Sequence, residues 1–254
     1  MKSPDSHAWT LRFSLFGIPV SIQPVSWVVL AILGGALGVE EGGQLGRVLL
    51  FVLAGMLTLL VHEFGHALAG RAGGAAVERI EVAGMGGTTH FVLLPARRLG
   101  YILMVLAGPL ASLALGALLG LLFGLQLGNA WLGLRLAFLL PWVETLPLEV
   151  QQQLLMGLYT HPVPELLIQF YLVGMSICFW WSLFNLLPIF PLDGGKLLGS
   201  VINNYAIPCV LGLLLCLGLG IWSLLEARWL NVMILGYLGF INWQYLAVFL
   251  RRRK

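Results

Sequence analysis

Apolar residues fall along this chain in long blocks, separated by short polar or Gly/Pro-rich breaks. A helix needs about 20 apolar residues to cross the hydrocarbon core of a bilayer. Six blocks approach that length, at 25–39, 48–69, 99–127, 166–187, 205–225 and 229–250. The first is short and ends at Glu40-Glu41, so its start is expected to reach back across Pro24. Strand-like alternation is confined to two places. Residues 9–22, around Gly17 and Pro19, predict a strand or hairpin at the membrane surface. Residues 75–94 predict strands on both sides of a Gly84-Met85-Gly86-Gly87 turn. The connector 128–165 carries Trp131, Pro141, Trp142, Pro147, Pro162 and Pro164, with a helical piece around 149–158. Its apolar and aromatic content places it on the bilayer surface or over the spans. The expected fold is an α-helical polytopic membrane protein of about six transmembrane helices with short membrane-associated strands. One domain is expected over 1–254, with a core at about 9–200 and two further helices in 205–254.

Composition agrees with that pattern. Of 254 residues, 59% are hydrophobic and 10% charged, against roughly 25% charged in soluble domains. Such a chain needs a lipid bilayer. The net charge of +3 is small and the basic residues are scattered or terminal, which excludes nucleic acid as a partner. Cys178, Cys209 and Cys216 lie in apolar segments without a C-x-x-C and read as packing residues. Residues 1–24 lack the apolar core of a cleavable signal peptide. With both termini cytoplasmic, 11 basic residues lie inside (Lys2, Arg12, Arg71, Arg79, Arg97, Arg98, Lys196, Arg251, Arg252, Arg253, Lys254) and 3 outside (Arg47, Arg135, Arg228). Basic residues concentrate on the cytoplasmic side of membrane proteins, so this orientation is expected, in a prokaryotic plasma membrane.

The candidate chemistry sits inside the second span. His62-Glu63-Phe64-Gly65-His66 places two imidazoles four residues apart, on one helix face, where both can reach one metal ion. Glu63 is placed to act on the attacking water rather than to bind the metal. Ionisable side chains are costly in hydrocarbon and mark functional sites there. Catalytic zinc takes three protein ligands and keeps one position open, so a third His, Asp, Glu or Cys is required at the same depth. Asp193 is the best candidate: it follows Pro188 and Pro191, precedes Gly194-Gly195, and lies on the same side as the pentad in the expected topology. Its alternative role is a turn aspartate capping the next helix. His90 is expected to be a polar turn residue, and His7 and His161 ordinary surface residues.

The chain resembles the site-2 proteases, a family of intramembrane zinc metalloproteases. The resemblance rests on the pentad with Ala67-Leu68-Ala69, on Ala107-Gly108-Pro109-Leu110, and on Asn185-Leu186-Leu187-Pro188-Ile189-Phe190-Pro191-Leu192-Asp193-Gly194-Gly195. It implies one Zn2+ held by His62, His66 and Asp193, with Glu63 as general base. It also implies that Asn185 positions substrate or stabilises the tetrahedral intermediate, where the residue alone reads equally as an interhelical or capping hydrogen bond. The implied substrate is a transmembrane protein or membrane peptide. Many members carry a PDZ domain between the motifs and others append CBS domains. Residues 128–165 are too short and apolar for the first and the sequence ends at Lys254, so a minimal catalytic core is expected. Recognition then falls to the core, the connector or a regulatory membrane partner. Two other classes compete: an inactive zinc-binding membrane scaffold or sensor, which would not need Glu63, and a transporter with a metal-binding gate, for which the remaining helices offer no charged pathway.

Overall fold

A computed structural model describes residues 9–40, 42–140 and 146–251. His7, Lys2, Pro141, Trp142 and the basic tail 252–254 lie outside them. Among the described residues five helices are long and apolar enough to cross a membrane: α2 (Gly42–Ala72), α3 (Arg98–Gln126), α6 (Glu165–Asn185), α8 (Ala206–Leu225) and α9 (Trp229–Arg251). The first expected span is shorter. Its helix α1 (Pro24–Leu33) starts at Pro24 itself, since proline needs no N–H partner in a first turn. It ends at Gly34-Gly35, where Gly35 takes φ +91° and a 3-10 turn (Ala36–Gly38) follows. Glycine is the residue that adopts that conformation without strain.

The two alternating stretches form one sheet. Strands β1 (Leu11–Leu15), β2 (Ile18–Ile22), β3 (Ala76–Ala83) and β4 (Gly86–Leu93) pair in that order. Both hairpins are antiparallel, and β2 joins β3 in parallel through Val20 opposite Ile80 and Ile22 opposite Val82. The first hairpin turns through Phe16 and Gly17, both at positive φ, as a two-residue hairpin connection favours. Arg71, in the last turn of α2, donates to the carbonyls of Phe16 and Gly17 at 2.7 and 3.3 Å. The second turn is Gly84-Met85, so Gly86 and Gly87 belong to β4 rather than to the turn expected there. Ile18, Val20, Ile22, Ile80 and Val82 face inward and pack with Leu30, Val52, Leu59, Phe64 and Ala67 of α1 and α2.

The connector holds two helices, α4 (Ala130–Leu139) and α5 (Leu148–Thr160). The second matches the helical piece expected around 149–158. The first was hidden, because ten residues with Arg135 among them are too few to announce a span. Asn129 caps α4 by accepting from Leu132 N at 3.0 Å. The helix folds back on α3, where glycines bring the two backbones together: a Cβ on Gly120 would sit 2.6 Å from Gly133 O. Phe123, Leu132, Leu136, Tyr171 and Met175 form the core among α3, α4 and α6. Cys178, Cys209 and Cys216 are buried and unpaired, as packing residues should be.

Asp193 opens a helix, α7 (Asp193–Ile202), in its first turn. Gly194 and Gly195 lie inside that helix and neither has positive φ. Their role is close approach rather than turn flexibility: a Cβ on Gly195 would sit 2.6 Å from Ile189 O.

Replacing Gly133 with Leu should separate α4 from α3, because its Cβ would sit 2.5 Å from Gly124 N. Overpacking of this kind costs about 1–3 kcal/mol. Thermal unfolding in detergent is expected to show a lower midpoint, and an unchanged midpoint would mean that the two helices do not need this contact.

Candidate metal centre

The pentad lies toward the C-terminal end of α2, on the face turned to α3. Helices approach this closely only where small residues meet. A Cβ on Gly65 would sit 2.9 Å from the Ala111 Cβ of α3, and one on Gly108 would overlap the His66 ring. This contact gives both histidines partners on α3. His66 Nδ1 lies 2.8 Å from Met104 O, and His62 Nδ1 lies 3.2 Å from Ser112 Oγ. The Ser112 hydroxyl in turn donates to Gly108 O at 3.3 Å.

These partners fix the tautomers. A backbone carbonyl only accepts, so His66 Nδ1 carries the proton; Ser112 spends its own proton on Gly108 and accepts from His62 Nδ1. With Nδ1 engaged on α3, each ring turns its Nε2 toward the other and toward Asp193. The two Nε2 atoms lie 3.2 Å apart, and Asp193 Oδ2 lies 3.0 Å from that of His62 and 3.1 Å from that of His66. Asp193 comes from α7, after the break that ends α6. Lys196 Nζ holds the other oxygen, Oδ1, at 3.2 Å.

Three electron-rich atoms thus face one another, all on buried residues. Left to themselves they repel; a cation among them satisfies all three. Zinc bonds nitrogen and oxygen at about 2.0–2.1 Å, which in a tetrahedron puts ligand atoms about 3.3 Å apart. The observed spacings fit that geometry closely. Two imidazoles and one carboxylate are also a donor set that zinc favours.

Glu63 is 4% exposed and contributes no atom to this cluster. Its carboxylate lies under β4, where Thr89 Oγ1 donates to Oε2 at 2.7 Å. Asn185 is the last residue of α6, and among the described residues its amide Nδ2 donates to Trp181 O at 2.9 Å, back along its own helix. Trp181 itself meets the His62 ring edge-on at 6.2 Å. His90 is a strand residue, not a turn residue, and its ring lies 3.4 Å from Glu81 Oε2. His161 is exposed after α5.

Sequence reading missed Ser112, Met104 O, Lys196 and Thr89. A lone serine one turn after Gly108 was the available sign for the first; a carbonyl partner has no sequence signal at all. Residues that orient a metal-binding histidine are worth about 10–100-fold in metal affinity. Ser112→Ala should weaken zinc binding by that order while Ser112→Thr retains it, read by competition with a zinc chelator. Equal affinity in Ser112→Ala would mean that the serine does not orient His62.

The sequence pattern of peptidase family M50 matches residues 50–208 of the chain. A zinc metalloprotease of Methanocaldococcus jannaschii is 22% identical over 192 residues, which is 76% of this chain and 45% of that protein. The chain therefore spans less than half the length of that curated relative. The solved structure of the site-2 protease from Methanocaldococcus jannaschii superposes with a TM-score of 0.58 at 20% identity, covering 94% of this chain and 95% of that one. At that identity the likeness concerns the fold, and the fold is the same. With the pentad, the buried carboxylate opposite it and the membrane-spanning helices in place, the chain belongs to peptidase family M50.

Proposed function

We propose that this protein is an intramembrane zinc endopeptidase that hydrolyses a peptide bond in or near the transmembrane segment of another membrane protein. The observation that carries this reading is the convergence of His62 Nε2, His66 Nε2 and Asp193 Oδ2 beside Glu63, on a helix long enough to span the bilayer. Bound there, zinc would polarise the scissile carbonyl and lower the pKa of a water to about 7. Glu63 takes the proton of the attacking water and returns it to the leaving amine. Asn185 has two amide hydrogens and gives one to Trp181 O. The other remains for a substrate carbonyl or the oxyanion that develops from it.

A peptide bond inside a helix hides its carbonyl, so the substrate must locally unwind. Among the described residues strand β4 ends the sheet order, with β3 on one side only. An extended peptide added to such an edge gains main-chain hydrogen bonds. Added here, it would lie next to Glu63, since a Cβ on Gly87 would sit 2.7 Å from Glu63 Oε1. The distribution of basic residues supports a cytoplasmic location for both termini and for the metal centre, and the compact core suits a prokaryotic plasma membrane. Regulated release of a membrane-held factor and clearance of leftover membrane peptides are both roles this site would serve.

Purified protein should hold about one zinc per chain in the wild type and in Glu63→Gln, and lose or weaken it in Asp193→Ala. Cleavage of a membrane-inserted substrate should fall at least 100-fold in Glu63→Gln, on the scale of general acid–base catalysis. Full activity of a Glu63→Gln protein in the cell would instead establish the inactive-scaffold reading.

The strand-addition step has its own test at Gly86, where a Cβ would meet only the Trp181 ring edge, at 3.8 Å. Gly86→Val should leave zinc bound and raise KM several-fold as the strand edge becomes crowded. Unchanged kinetics would remove β4 as the substrate platform.

A further inference from the structure

We infer that Thr89 is a positioning residue for Glu63, and that strand β4 thereby holds the base of the site as well as its edge. The inference rests on the reading above that Glu63 acts as the base. Three residues of β4 point from the sheet onto α2. Alternate strand residues share a face, and Thr89 stands opposite Ile80, Gly87 opposite Val82, both fully buried partners on the core side. Phe91 follows on the same face. Each meets a matching position of α2. Phe91 fills the space left at Gly70, whose Cβ would sit 2.8 Å from its ring. Thr89 and Gly87 both meet Glu63, one with a hydroxyl and the other with no side chain at all.

The Thr89 hydroxyl lies 2.7 Å from Glu63 Oε2 and 3.1 Å from the Glu63 backbone carbonyl. It gives its proton to the carboxylate, the stronger acceptor. Glu63 has three rotatable side-chain bonds and, among the described residues, no other hydrogen bond to its carboxylate. Without the hydroxyl nothing polar would select one rotamer of the base. With it, Oε2 is engaged and Oε1 is left for the water proton. Gly87 closes the arrangement from above: its missing side chain is the room the carboxylate occupies, since a Cβ there would be 2.8 Å from Glu63 Cδ. The pattern of glycine, threonine and phenylalanine at 87, 89 and 91 is therefore cut to the helix beneath it. A base held within a fraction of an ångström needs such support.

This arrangement makes the edge that would receive a substrate strand and the anchor of the base one element. Displacing β4 would move Glu63, so binding at the edge and proton transfer at the base are mechanically joined.

The test measures binding and turnover side by side on zinc-loaded protein. A peptidyl hydroxamate binds zinc and passes its proton to the neighbouring base, so its affinity reads the placement of Glu63 without any cleavage. Loss of a hydrogen bond to a charged group corresponds to about 10-fold or more. Thr89→Val should weaken the hydroxamate about 10-fold, and Thr89→Ser should restore it to within about 2-fold. In the Glu63→Gln background, Thr89→Val should add less than about 2-fold, because residues acting through one another are not additive. In cleavage, Thr89→Val should lower kcat about 10–100-fold with KM nearly unchanged. Three results would overturn the inference: a Thr89→Val effect that persists undiminished with Glu63→Gln, a Thr89→Ser protein as weak as Thr89→Val, or loss of zinc in Thr89→Val, which marks a purely structural hydroxyl. A wild-type protein that binds zinc and hydroxamate but cleaves nothing removes the protease reading, while the binding cycle still decides Thr89.

Discussion

The close contact of α2 with α3 governs the rest of the site. A histidine that is to bind metal through Nε2 must give its Nδ1 proton to something fixed. In a span made of apolar side chains, the nearest fixed acceptors are the carbonyls and rare hydroxyls of the neighbouring helix. Met104 O and Ser112 Oγ are within reach only because Gly65 and Gly108 let the two backbones meet without side chains between them. The same stretch of α3 also meets α6, since the Ser182 hydroxyl shares its proton between Cys178 O at 2.7 Å, in its own helix, and Pro109 O at 3.0 Å. Within nine residues, 104 to 112, α3 orients both imidazoles and positions the helix that leads to Asp193. Ala107-Gly108-Pro109 is thus a packing device with a chemical consequence.

How much of this could be read in advance follows from whether each signal is local. Spans announce themselves by composition, so α2, α3, α6, α8 and α9 were legible with ends off by a few residues. The pentad was legible because helical spacing alone places His62 and His66 together. Asp193 was identified by elimination and by its Pro/Gly surroundings, although those glycines serve close approach to Ile189 O rather than a flexible turn. The sheet was legible only as two separate hairpins. Their union depends on β2 pairing with β3 across the whole of α1 and α2, and no pattern within either hairpin specifies a partner that distant. Thr89 was unreadable for the same reason. Its orientation depends on register with Ile80, and a one-residue slip would have turned it to the face of His90.

The proposed third ligand poses a separate physical problem. His62 and His66 are held by a continuous helix, whereas Asp193 follows an interrupted segment, 186–192, that contains Pro188 and the cis Phe190-Pro191 bond. Within it Ile189 N donates to Leu187 O at 2.7 Å and Leu192 N to Ile189 O at 2.9 Å, while the main-chain groups of Phe190 are left to a neighbouring helix. Asn242 of α9 supplies that service. It is fully buried, accepts from Phe190 N at 3.1 Å, and donates to Phe190 O and to Leu238 O. Gly212 of α8 makes room for it: a Cβ there would sit 2.9 Å from the Asn242 amide carbon. The Phe190 ring is packed at the same time by Tyr205, Tyr245 and Phe249.

The two C-terminal helices therefore do more than add hydrophobic bulk beyond a core ending near residue 200. They lie largely outside the stretch matched by the family pattern, residues 50–208, and supply a side chain that satisfies both main-chain groups of Phe190. A carboxylate on α7 can meet two imidazoles on α2 at 3.0 and 3.1 Å only if the chain between α6 and α7 is stationary. An amide side chain suits this task better than a charged one, because it donates and accepts at once and buries no charge in the bilayer. The candidate metal centre is accordingly assembled from three directions: α3 aims the imidazoles, β4 covers the Glu63 carboxylate between them, and α9 steadies the segment that leads to Asp193.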